Sequence, residues 1–260
     1  MKLPIYQVDA FATEVFKGNP AAVVPYAEPL STELMQAIAM ENNLSETAFI
    51  QSSGSGHYRI RWFTPAVEVD LCGHATLAAA HVVMNELEPG LRRVIFNSGV
   101  GPLEVDAREG RLILDFPSRP PQPADIAPEL TEAMGKRPTE VLKARDLVLV
   151  YKSEADVVGL RPDFRKLAAV STFGVLATAK GRSVDFVSRC FFPAVGIDED
   201  PVTGSAHCSL IPLWAERLGK TSLTALQRSP RGGELFCELK GDRVHIGGRV
   251  MPYLKGEITV

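Results

Sequence analysis

The stretch RWFTPAV, Arg61–Val67, recurs 128 residues later as RCFFPAV, Arg189–Val195, and that recurrence decides how the chain is read. One such match could arise by chance, but it has company. CGHA at Cys72–Ala75 faces TGSA at Thr203–Ala206 at an offset of 131, and helix-like runs follow both, TLAAAHVVMNEL and HCSLIPLWAERLGK. Ser98 and Gly110 bracket GVGPLEVDARE, while Ser229 and Gly241 bracket PRGGELFCELK, again 131 apart. Upstream, LSTELMQAIA from Leu30 shares its pattern with LRPDFRKLAA from Leu160, 130 apart. A near-constant offset over separate segments in one order marks a duplicated unit of about 120 residues.

Each copy reads as strand, helix, strands, a glycine-led central helix and a hairpin. The strands are short β-rich runs such as YRIRWF, GRLILDF and SVDFVS, bounded by turn residues. LSTELMQAIAMEN is a helix capped by Ser31, with Leu34, Ala37, Ile38 and Met40 or Glu41 as its apolar positions. The joint lies in FPSRPPQPADIAP, Phe116–Pro128, whose five prolines oppose regular hydrogen-bonded structure. The expected fold is α+β: two pseudo-symmetric halves, each a mixed sheet wrapped around a central helix. The expected divisions are residues 1–118, residues 119–250, and a strand at 251–260 that returns to the N-terminal half.

The bulk numbers exclude several functions. The 260 residues, 45% apolar and 23% charged, suit a globular protein with a generous core. A net charge of −3 lacks the basic footprint of a nucleic-acid binder. No run reaches the roughly 18 apolar residues of a membrane span. MKLPIYQVDAF has no signal-peptide pattern, and the four cysteines (72, 190, 208 and 237) form no CxxC pair. Reduced thiols and a cytoplasmic location are expected.

The chemistry centres on LCGHATLAAAH, Leu71–His81, a helix start with Cys-Gly-His where a Ser, Thr, Asp or Asn cap is usual. Facing halves would bring two glycine-led helix starts, Gly73-His74 and Gly204-Ser205, to one cleft, where free N–H groups and positive dipole ends favour a carboxylate. Glu46, in LSETAFI, has apolar neighbours that disfavour its charged form and poise it for reversible proton transfer. A strand-edge glutamate facing water or an arginine is the competing reading. Asp200 closes the acidic run in GIDEDPVTGSAH and stands nearest the second helix start; ordinary helix-capping carboxylates are the alternative there. Cys72 sits where a thiolate is stabilised, as in racemases with two opposed thiols. Its counterpart is Thr203, which leaves Cys72 as a small buried residue. His74, His81 and His207 offer no HExxH and no compact ligand spacing, so no metal is expected.

QVDAFA, GNPAAVV at 18–24, LSETAFI, RWFTPAVEVDLCGHATLAAA and EDPVTGSAHCSL, in this order along nearly the whole chain, resemble the PhzF-like family of phenazine-biosynthesis isomerases. The resemblance implies the diaminopimelate epimerase-like fold and an active site between two halves. It assigns a proton-carrying glutamate to Glu46. It also implies polar and substrate-lining roles for Asp200, Ser205, Gly73, His74 and Gly204. It further implies a small-molecule carboxylate substrate, no cofactor, no metal and a homodimer. Cys72 occupies the position used by the racemase branch of the fold and keeps an epimerase reading open, as does a catalytically silent metabolite-binding protein.

Overall fold

The computed structural model describes residues 1–125 and 127–260. Ile126, inside the proline-rich joint, lies outside the described residues. The chain divides into two compact units, Met1–Asp115 with Gly247–Val260, and Phe116–Ile246.

The first unit runs β1 (Lys2–Ala10), β2 (Asn19–Pro25), α1 (Thr32–Asn42), β3 (Glu46–Gly54), β4 (His57–Phe63), β5 (Glu68–Val69), α2 (Gly73–Val82), β6 (Arg93–Ser98), β7 (Gly101–Arg108) and β8 (Arg111–Pro117). The second runs β9 (Gln122–Pro123), α3 (Pro128–Met134), β10 (Glu140–Lys143), β11 (Leu147–Val150), α4 (Glu154–Val158), α5 (Phe164–Ala168), β12 (Val175–Lys180), β13 (Phe186–Phe192), β14 (Ile197–Asp200), α6 (His207–Leu218), β15 (Ser222–Gln227), β16 (Gly233–Lys240) and β17 (Arg243–Gly248). β18 (Val250–Thr259) then pairs antiparallel with β1 in the first unit.

The pairing pattern repeats. β2 lies parallel to β3 and β11 to β12; β4 lies parallel to β6 and β13 to β15. β3 meets β4 antiparallel with Thr47 opposite Phe63, and β12 meets β13 with Val175 opposite Phe191. That register fixes the repeat at 128 residues here and puts Gly174 in the place of Glu46.

Two sequence expectations shift. On α1 the buried stripe is Met35, Ile38 and Ala39, while Met40 is 59% exposed and Ala37 faces solvent. The i, i+3, i+4 spacing is retained, but the helix is rotated so that Met35 is buried with Phe49 and Phe63 while Leu34 packs half-buried at the edge of that core. Ser31 caps this helix, its hydroxyl accepting from the Leu34 N–H at 3.2 Å. In the joint, Gln122 and Pro123 pair with Lys143 and Leu142 despite the prolines, because proline is tolerated in a strand where its missing N–H is not required.

α2 explains the alanine-rich run. Nine of its ten residues are buried, and small side chains let it pack against β1, β2 and β3. A helix apolar on all sides belongs inside a core, so its first turn is held by the fold rather than by a cap. Cys72, the residue before it, makes no side-chain capping bond. No helix among the described residues is long and apolar enough to cross a membrane.

Candidate active site

Each unit positions its own cluster. In the first, parallel pairing sets Ala21 of β2 beside Glu46, the first residue of β3, and α2 brings His74 onto that edge. Glu46 Oε2 lies 3.0 Å from His74 Nε2, with the two side chains 12% and 6% exposed. The amide nitrogen of Asn19 lies 3.2 Å from His74 Nδ1, and Cys72 Sγ lies 3.5 Å from the same nitrogen. Which of Asn19 and His74 Nδ1 donates depends on the protonation of the ring, while Nε2 is the ring nitrogen nearest Glu46. Glu46 therefore faces a histidine, neither open water nor a purely apolar wall.

The electrostatics follow from burial and proximity. Burial opposes a charged imidazole, but the adjacent Glu46 carboxylate and the contacts to Cys72 and Glu46 draw the His74 pKa above its ordinary value. Burial, then the Glu46 carboxylate, pushes the Cys72 thiol up to about 11, despite His74 and the Ala75 N–H beside it. Cys72 is thus a neutral thiol near pH 7 rather than the activated thiolate its place before a helix suggests. Gly73 and His74 begin α2, and their backbone N–H groups find no acceptor among the described residues.

In the second unit Asp198, Glu199 and Asp200 lie on β14 rather than in a helix-capping turn. Asp198 is exposed, Glu199 pairs with Arg189 at 2.7 Å, and Asp200 is buried with the Thr203 hydroxyl donating to its Oδ2. Gly204 and Ser205 form a tight turn, the carbonyl of Gly204 accepting from His207 N–H at 3.0 Å, so α6 begins at His207, after the TGSA motif. Gln227, which no motif singles out, holds this corner. Its Oε1 accepts from Thr203 N–H at 2.8 Å, and its Nε2 donates to the Asp200 carbonyl at 2.8 Å. Arg145 was missed as well. Its Nη2 donates to Ser205 Oγ at 3.2 Å, it pairs with Asp146 at 2.9 Å, and its guanidinium lies 4.7 Å from the Phe173 ring centroid. Only the fold could reveal this residue, because 60 positions separate it from Ser205.

His207 is structural. Its Nδ1 donates to the Thr203 carbonyl at 2.8 Å, and burial lowers its pKa to about 4. The unfolded chain binds this proton near pH 6.5, so the native state holds fewer protons between pH 6.5 and 4. Stability is full above pH 6.5 and falls as acid is added, by about 3 kcal/mol for this group alone. Urea unfolding across that range should show the loss, and His207→Gln should flatten the acid limb by about one proton.

The comparisons with known proteins follow this geometry. The chain matches the family described as Phenazine biosynthesis-like protein, PhzC-PhzF, over residues 8–256. It is 53% identical to an uncharacterized isomerase of Pseudomonas aeruginosa over the full length of both chains. A crystal structure of a PhzF family phenazine biosynthesis protein from Enterococcus faecalis superposes with a TM-score of 0.97 at 51% identity, covering both chains completely. A hydroxyproline epimerase from Agrobacterium vitis shares the fold, with a TM-score of 0.69 at 9% identity over 99% of this chain and 92% of that one. Fold and relatives together define an enzyme of the isomerase class on an epimerase-type α+β scaffold. The chain belongs to the phenazine biosynthesis-like (PhzC-PhzF) family.

Proposed function

We propose that this protein is a cofactor-independent isomerase that moves a proton between carbons of a small carboxylate-bearing metabolite. The observation that carries the reading is the buried Glu46–His74 pair at 3.0 Å, which has no equivalent in the second unit because Gly174 stands in the place of Glu46. A carboxylate is a competent base for a carbon acidified by conjugation, and the carboxylic acid so formed is a competent donor to a second carbon. His74, whose pKa its neighbours raise, is assigned to orienting Glu46 from 3.0 Å through Nε2. Asp200, Gly204 and Ser205, with Arg145 bonded to Ser205, are assigned to holding polar groups of substrate. Gly73 contributes its free backbone N–H to the substrate carboxylate. A cytoplasmic homodimer is part of this proposal.

The rival is an amino-acid or hydroxy-acid epimerase with Cys72 as a base. A thiol pushed up to about 11, matched in the repeat by the hydroxyl of Thr203, counts against it. The test is a panel of small carboxylic acids screened by thermal shift, with hits assayed by NMR for deuterium uptake from heavy water. Cys72→Ala should keep exchange within roughly tenfold of the parent, an order of magnitude above the smallest general-base loss. A collapse of exchange in Cys72→Ala would install the cysteine mechanism instead. Hits that bind without any exchange would identify a catalytically silent binding protein.

A further inference from the structure

The sequence offered no compact set of metal ligands, yet the fold assembles one. Glu46, Cys72 and His74 present a carboxylate oxygen, a sulfur and a ring nitrogen that all lie within 4.8 Å of one another. We propose that this cluster is a binding site for a thiophilic divalent cation of the Zn²⁺ type, and that occupancy switches off proton transfer at Glu46.

The distances suit such an ion. Cys72 Sγ lies 4.0 Å from His74 Nε2, and that nitrogen lies 3.0 Å from Glu46 Oε2. Tetrahedral zinc with ordinary bond lengths requires about 3.6 Å between sulfur and nitrogen and about 3.4 Å between nitrogen and oxygen. These two gaps close with side-chain shifts of about half an ångström, and the third, from sulfur to carboxylate oxygen, is at most 4.8 Å. The charge balances as well: a thiolate and a carboxylate neutralise a dication, and a buried ion is tolerated only when its charge is matched. Binding displaces the Sγ proton and the proton between Nε2 and Oε2, and both leave to solvent.

The surroundings orient the ligands. The Asn19 amide fixes the ring of His74 through Nδ1 and leaves Nε2 for the ion. The Ala75 N–H points at Cys72 Sγ and helps to hold the sulfur in place. Thr76 Oγ1 donates to the Cys72 carbonyl at 2.5 Å and pins the backbone that carries the sulfur. Mg²⁺ and Ca²⁺ prefer sets made wholly of oxygen atoms, so this mixed set selects for softer ions.

The metal site does not depend on the proposed reaction; only the claim of inhibition does. Calorimetric titration of the full chain with ZnCl₂ should give one tight site per chain, and Co²⁺ should give a thiolate-to-metal absorption band in the near ultraviolet. Cys72→Ala should abolish the Co²⁺ band and weaken Zn²⁺ at least roughly tenfold. Glu46→Gln should weaken Zn²⁺ comparably while leaving the band, and Cys237→Ala should change neither. Circular dichroism confirms that each variant is folded; Cys72→Ser replaces Cys72→Ala should the latter not fold. The absence of a stoichiometric site, or an unchanged affinity and band in the Cys72 variant, overturns the proposal. Tight binding with undiminished deuterium exchange would retain the site and refute the inhibition.

Discussion

Glu46→Gln should fold as the parent does and lose proton exchange by roughly 10²- to 10⁴-fold, the range of a general acid–base contribution. The substitution keeps the shape of the side chain and an oxygen that accepts from His74 Nε2, so the first turn of α2 loses no packing. What disappears is the carboxylate that the proposed mechanism uses to carry the proton, beside a thiol pushed up to about 11. A second readout needs no substrate. The Glu46 carboxylate helps raise the pKa of His74, so its removal should lower the pH at which the His74 ring titrates by NMR. Full exchange in the variant would remove Glu46 from the mechanism. An unchanged His74 titration would show that the pair is not electrostatically linked.

Gly18→Ala should destabilise the protein severely. Gly18 has φ +69, and a Cβ there would stand 2.2 Å from the Ala10 carbonyl oxygen and 2.9 Å from the Ala12 Cβ. Both obstacles belong to the backbone or to a short side chain, so neither can swing aside. Left-handed strain and the clash add, for a loss of about 3 kcal/mol or more. The effect extends to chemistry, because the next residue, Asn19, steers His74. Chemical denaturation should show the lost stability, and the His74 resonances should broaden or shift in whatever fraction remains folded. A variant of parental stability would mean that the β1–β2 turn relaxes freely.

The architecture was legible because duplication writes itself into sequence. RWFTPAV and RCFFPAV begin on equivalent strands, β4 and β13, each paired in the same antiparallel register with the strand that precedes it in the chain. The burial phase of α1 was less legible. Leu34, Met35, Ala37, Ile38 and Met40 supply apolar side chains almost all round, and only the neighbouring strands choose among them. At the candidate site, Glu46, Cys72 and His74 could be named from motif alone. Their mutual distances could not, since they come from the pairing of β2 with β3. Gln227 and Arg145 escaped notice for a related reason. Each acts through a contact far along the chain, and neither carries a local pattern that separates it from a surface residue.

All four cysteine thiols lie inside the protein, Cys72 in the first unit and Cys190, Cys208 and Cys237 in the second. A bulky alkylating reagent therefore reaches them only when the surrounding structure opens. Variants that retain a single cysteine would turn labelling kinetics into a stopwatch for breathing motions, timed separately for each half of the duplication.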